Sequence, residues 1–259
     1  MALAAHCMRA PSARYPALMR LAGRRNASAD TGNPALSPSW ALVACGVATS
    51  VVVLVAAVVW HTSQPDPADA EMMRLQEAAS VWGDGIATAI ASGVGPLVVL
   101  AVVVGAALAW RFKRWDAVVL ALAAAPAALV IELFLKQLVH RQRSGGNGSL
   151  LYPSGHVAVA TAAAMTVVLV LRAPQAPPRT RVRVAWLAAW LVLVIAAARL
   201  VQTVHYVTDV VGGAAVGLAV TCWAALAITA VRRLCAHIVA RSHLPGEPGA
   251  SRPAQVERP

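Results

Sequence analysis

Three separated stretches of the chain hold cations and imidazoles in the combination needed to bind and cleave a phosphate ester. They are Lys136 through Arg143, the tetrapeptide Pro153-Ser154-Gly155-His156, and Arg199 with His205 and Asp209. A phosphate monoester carries close to two negative charges near neutral pH. Guanidinium and ammonium groups hold such an anion through charge-assisted hydrogen bonds, Arg in bidentate fashion. Lys136, Arg143 and Arg199 supply that positive field. Ser154 stands where a helix should begin, so the N–H groups that follow, that of Gly155 foremost, offer an anion the positive end of the helix dipole. His205 and Asp209 stand at i and i+4, one face of a helix. A carboxylate at that spacing can orient an imidazole and leave its other nitrogen to act as a nucleophile. His156 then remains to move a proton. Taken singly, each residue has a plainer explanation: a snorkelling cation, a helix cap, a proton relay or a structural His–Asp bond.

The elements that must carry these residues are apolar. The chain has 259 residues, of which 59% are hydrophobic and 13% charged, whereas a soluble domain carries about a quarter charged residues. Apolar runs of about 20 residues, the length that crosses roughly 30 Å of hydrocarbon, recur at 40–60, 89–110, 117–139, 155–171, 184–200 and 207–231. The fold class expected is therefore all-α, an integral membrane six-helix bundle. It divides into a disordered basic tail over 1–38, a six-span domain over 39–233 with its signature region at 132–213, and a second tail over 234–259. Seventeen Lys and Arg fall on the side of the two tails and only five (Arg74, Lys136, Arg141, Arg143 and Arg199) on the other. The positive-inside rule places both termini in the cytoplasm and the three reactive segments at the extracytoplasmic face of the plasma (inner) membrane.

The net charge of +11 does not imply nucleic acid as a partner, because the basic residues lie in short segments between apolar runs and not on one soluble face. Cys7, Cys45, Cys222 and Cys235 show no metal-ligand spacing. Residues 61–84, with Asp66, Asp69, Glu71, Glu77 and Asp84, read as a solvated loop with room for a short surface helix. Glu132, one turn before Lys136, reads as that lysine's structural partner. His140 and Arg141 are expected to face solvent or lipid headgroups. Gly213 and Gly217 form a small-residue pair that permits close helix packing, with no partner specified.

Taken together, the three segments resemble the signature of the type-2 phosphatidic acid phosphatase family, whose site is shared with vanadium haloperoxidases. Lys136-Gln-Leu-Val-His-Arg-Gln-Arg143 resembles the first motif, residues 153–156 the second, and Ala198-Arg199 with His205 and Asp209 the third. The resemblance covers about residues 85–230. Ser144 stands where the family has Pro, and Ala198 where it has Ser; neither change removes a charged or acid–base group. The resemblance implies a membrane lipid phosphate phosphatase, acting on a phosphatidate-type lipid or a polyprenyl phosphate or diphosphate. It also implies His205 as the attacking group, forming a phosphohistidine, with Asp209 orienting it and His156 protonating the leaving group. Lys136, Arg143, Ser154, Gly155 and Arg199 would bind the phosphate, with no metal and no cofactor. Two alternatives stay open: a vanadate-dependent haloperoxidase-like oxidoreductase, and a catalytically weak membrane anion-binding member of the family.

Overall fold

In the computed structural model, the described residues are 38–62, 64–65, 67–142, 149–171 and 177–242. Arg143, Ser144, the N-terminal tail and the chain after residue 242 lie outside them. Six helices follow in order: α1 Pro38–Val58, α2 Pro67–Arg111, α3 Trp115–Val139, α4 Gly155–Leu171, α5 Pro178–Val201 and α6 Val207–Ser242. Five of them are long and apolar enough to cross a membrane, and α4, at 17 residues, is a shorter apolar helix. The fold class read from the sequence is the one observed. Large side chains such as Leu54, Val81, Trp186 and Leu193 are exposed on the outside of the bundle. An apolar exterior of this kind needs lipid, not water, around it.

The structure corrects the reading of residues 61–84. From Pro67 onward this stretch is not a loop but the first half of α2, a single helix of 45 residues. At 1.5 Å per residue that is roughly 67 Å, about twice the hydrocarbon thickness, so a large part of α2 must project beyond the bilayer core. The local reasons are present in the sequence. Pro67 sits at the first helical position, Asp69 lies in the first turn where the dipole favours an acid, and Glu, Met, Leu, Gln and Ala follow. In the same way α6 continues past 231 to Ser242, so the C-terminal tail begins as helix.

The glycine pair Gly213 and Gly217 has its partner in α4. A Cβ on Gly213 would lie 2.5 Å from the Ser154 carbonyl oxygen, and one on Gly217 would strike the Ala158 carbonyl oxygen. These two helices therefore touch backbone to backbone, which only a residue without a side chain allows. Val94, Val157, Ala160, Ile195 and Val210 fill the space between α2, α4, α5 and α6. Close helix contact thus seats the segment holding His156 directly on the one holding His205 and Asp209.

Candidate active site

The helix ends α3 (C-terminal), α4 (N-terminal), α5 (C-terminal) and α6 (N-terminal) meet at one end of the bundle, and each delivers residues of the signature. His156 lies within electrostatic range of Arg199, His205 and Lys136, and His205 within range of Arg199, Lys136 and Asp209. Two imidazoles and two cations, carried by α3, α4, α5 and the turn between α5 and α6, therefore act on one another; His205 stands before the first residue of α6 and not, as their spacing suggested, on one helical face with Asp209. Arg143 is outside the described residues.

At the start of α6, Asp209 accepts the backbone N–H of Tyr206 at 2.9 Å, the reach-back half of a capping box. In turn the Asp209 carbonyl accepts the Ser154 N–H at 3.0 Å, tying the start of α4 to the first turn of α6. Ser154 occupies the position before the first residue of α4, but its buried hydroxyl makes no capping bond and has no partner among the described residues. The sequence-level expectation of a side-chain cap is not met. Arg199 donates through one terminal nitrogen to Gln202 Oε1 at 2.7 Å, while its buried Nε also lacks a partner among the described residues.

His205 is 7% exposed, and its Nδ1 faces Asp209 Oδ2 at 3.7 Å, an ion-pair distance too long for a hydrogen bond. Burial pushes the imidazole below its ordinary value; Asp209 opposes that, and Arg199 and Lys136 add to it. At neutral pH the ring is therefore uncharged, the state in which a nitrogen lone pair can attack. Lys136 Nζ pairs with Glu132 Oε1 at 2.6 Å, as the one-turn spacing suggested, yet Lys136 keeps 23% of its side chain exposed. The Glu132 carboxylate also lies against Gly155, where an added Cβ would meet Oε1 at 2.8 Å. A side chain at position 155 would have to displace the end of that carboxylate.

A second correction concerns Arg141. Far from facing solvent, it is 1% exposed, and its terminal nitrogens donate to Asp209 Oδ1 and Asp69 Oδ2, each at 2.7 Å. It also donates to Thr208 Oγ1 at 2.6 Å and stacks over the Tyr206 ring at 4.5 Å. The Thr208 hydroxyl in turn donates to Asp69 Oδ2 at 2.6 Å. Burial works to lower the Arg141 pKa, but the two carboxylates outweigh it and the guanidinium is held more firmly charged. The consequence is that Asp209, expected to serve His205, is anchored chiefly by Arg141. Neither Arg141 nor Asp69 stood out in the sequence.

Residues 131–233 match the family model of the PAP2 superfamily. No curated protein matches the chain. Among solved structures, the fold is similar to that described as the crystal structure of the first transmembrane PAP2 type phosphatidylglycerolphosphate phosphatase from Bacillus subtilis. That likeness has a TM-score of 0.56 and 20% sequence identity, covering 73% of this chain and 96% of that one. The matched segment contains every signature residue named in the sequence, and it is over this part of the chain that the likeness to the PAP2 superfamily holds.

Proposed function

We propose that the protein is a membrane lipid phosphate phosphatase working through a phosphohistidine. The observation that carries this reading is the meeting of His156, His205, Lys136 and Arg199 at one end of the bundle, beside a buried Ser154 hydroxyl and Arg199 Nε that have no partner among the described residues. Buried polar atoms without partners are costly, and a phosphoryl group would satisfy both. With Nδ1 turned to Asp209, the Nε2 of His205 attacks phosphorus. A P–N bond forms, the P–O bond to the lipid alcohol breaks, and His156 gives the departing oxygen a proton. Water, relieved of a proton by His156, then attacks the phosphohistidine; the P–N bond breaks and inorganic phosphate leaves. Lys136, Arg143, Arg199, Ser154 and the Gly155 N–H hold the phosphoryl oxygens and stabilise the charge gathered in the transition state.

One feature supports a lipid substrate. An apolar groove of about 200 Å³ opens between α2, α4 and α5, lined by Leu97, Ala160, Ala163, Leu191 and Ile195 among others. It begins about one helical turn below His156 and Arg199, the position of a tail whose phosphate is held above. The charge asymmetry of the loops supports cytoplasmic tails and a site opening on the extracytoplasmic side. The substrate class is a phosphatidate-type or polyprenyl phosphate. Phosphate release from such lipids in detergent, with EDTA present, tests the reading. His205→Ala should lose at least about a thousandfold in rate while eluting as a folded protein; retained turnover rejects the mechanism.

A further inference from the structure

His205 stands in the turn over 202–206 that joins α5 to α6, outside both helices, so something other than a helical ladder must aim its ring. The residue just before α6 is Tyr206, whose side chain cannot take the first-turn N–H groups as that of Ser, Thr, Asp or Asn would. That place is filled by Asp69, which belongs to the first turn of α2 and lies 139 positions from Thr208. Asp69 Oδ1 accepts the Thr208 N–H at 3.2 Å, and its Oδ2 accepts the Thr208 hydroxyl at 2.6 Å. Oδ2 also accepts one terminal nitrogen of Arg141 at 2.7 Å, while the other donates to Asp209 Oδ1 at 2.7 Å. Asp209 thereby turns its Oδ2 to the Tyr206 N–H at 2.9 Å and toward His205 Nδ1 at 3.7 Å. Asp69, Arg141 and Asp209 are all fully buried.

We infer that Asp69 is a positioning residue of the reaction: through Arg141 and Thr208 it fixes the Asp209 carboxylate and the turn that aims His205. The inference rests on the phosphatase reading and deepens it. Asp69 lies outside the matched residues 131–233, so the first turn of α2 contributes to the site from a part of the chain beyond the three signature segments. Its effect is partly geometric. Without Asp69 the Thr208 N–H and hydroxyl lose their common acceptor, and the turn before α6 loosens. The other part is electrostatic. Asp69 divides the Arg141 guanidinium between two carboxylates; in its absence that charge bears on Asp209 more fully. Asp209 then gives less support to the positive charge that His205 acquires as the P–N bond forms. Lys136, Ser154 and Arg199 are carried by α3, the start of α4 and α5, so phosphate binding itself stays in place.

Asp69→Asn in the full-length protein tests this, with phosphate release from dioleoyl phosphatidate and from farnesyl phosphate measured in detergent. Arg141 still meets one carboxylate in that variant, so it should elute as a folded protein. Its kcat should fall about tenfold to a hundredfold, the worth of a hydrogen bond to a charged group, with KM unchanged. The pH profile separates aiming of His205 from support of the fold. Among the described residues, His205 is faced by Asp209 of α6, Arg199 of α5, Lys136 of α3 and His156 of α4, and Glu77 of α2 lines a cavity beside it. Asp209 favours the protonated ring, whereas Arg199 and Lys136 oppose it. Weaker support from Asp209 lets the neutral ring persist to lower pH, so the acid limb of kcat/KM should move to lower pH than in the wild type. A smaller folded fraction would scale the rate equally at every pH and leave the limb in place. A limb that stays or moves to higher pH, an unchanged kcat, or an Asp69→Asn protein that does not fold overturns the inference and leaves the phosphatase reading standing. Absence of phosphate release from both lipids by the wild type overturns both.

Discussion

Lys136 and Arg141 belong to the same short segment, and the structure gives them opposite uses. Lys136 pairs with one carboxylate, keeps 23% of its side chain exposed and lies within electrostatic range of His156 and His205. Arg141 spends both terminal nitrogens on two buried carboxylates and a threonine, and lies flat on Tyr206. A cation can hold a substrate only with hydrogen-bonding capacity left over. Residue type does not separate these two; the partners already engaged do. By this criterion Arg141 is part of the framework and Lys136 part of the binding set.

The comparison breaks if the two residues respond alike to substitution. The largest effect is expected from Arg141→Ala, which leaves Asp69 and Asp209 buried without their counter-charge. Removing one member of such a set costs about 3–5 kcal/mol, so the variant should melt markedly earlier in detergent, with activity lost in step with the fold. Lys136→Gln should keep the fold and lower kcat/KM by about a hundredfold to a thousandfold, the usual loss for one transition-state donor. Adding Glu132→Gln to it should recover any lost stability but none of the activity; recovered activity would make Lys136 structural too.

Smaller effects sharpen the picture. Gly217→Val drives a side chain into the Ala158 carbonyl and Thr161, and overpacking of this kind costs about 1–3 kcal/mol. Because α4 carries His156 and α6 begins two residues after His205, phosphate release should fall further than stability does. The smallest expected effect is on pH dependence. His205 sits below its ordinary value of 6.5, so its neutral form persists down to lower pH. The acid limb of kcat/KM should therefore fall below pH 6.5. Lys136 helps depress His205, so in Lys136→Gln the limb should move toward higher pH. A limb that moves the other way, or not at all, contradicts the shared field.

Much of this protein was readable from local pattern. The apolar runs announced the helices, since about 20 such residues have one economical conformation in hydrocarbon. Pro153-Ser154-Gly155-His156 and the spacing of His205 and Asp209 marked helix starts, and Glu132 with Lys136 at one turn announced their pair. Gly213 and Gly217 announced a close contact. Each of these depends on neighbours within a turn or two, and local sequence carries that information. The first half of α2 was misread because its acids looked like those of a solvated loop, although Pro67 and the helix formers after it were visible.

Tertiary structure alone decided the rest. Asp69 and Arg141 are 72 positions apart, and Arg141 and Asp209 are 68 apart; nothing in their immediate surroundings names the partner. The facing of α4 on α6 and the carboxylate that Asp209 shares with Arg141 depend likewise on which helices pack together. Composition and spacing determine which charges a chain must place and on which helix face. Whether a buried charge is neutralised by the protein or left for a ligand is settled only when distant segments desolvate one another, because the cost of an unpaired buried charge is a property of the assembled interior.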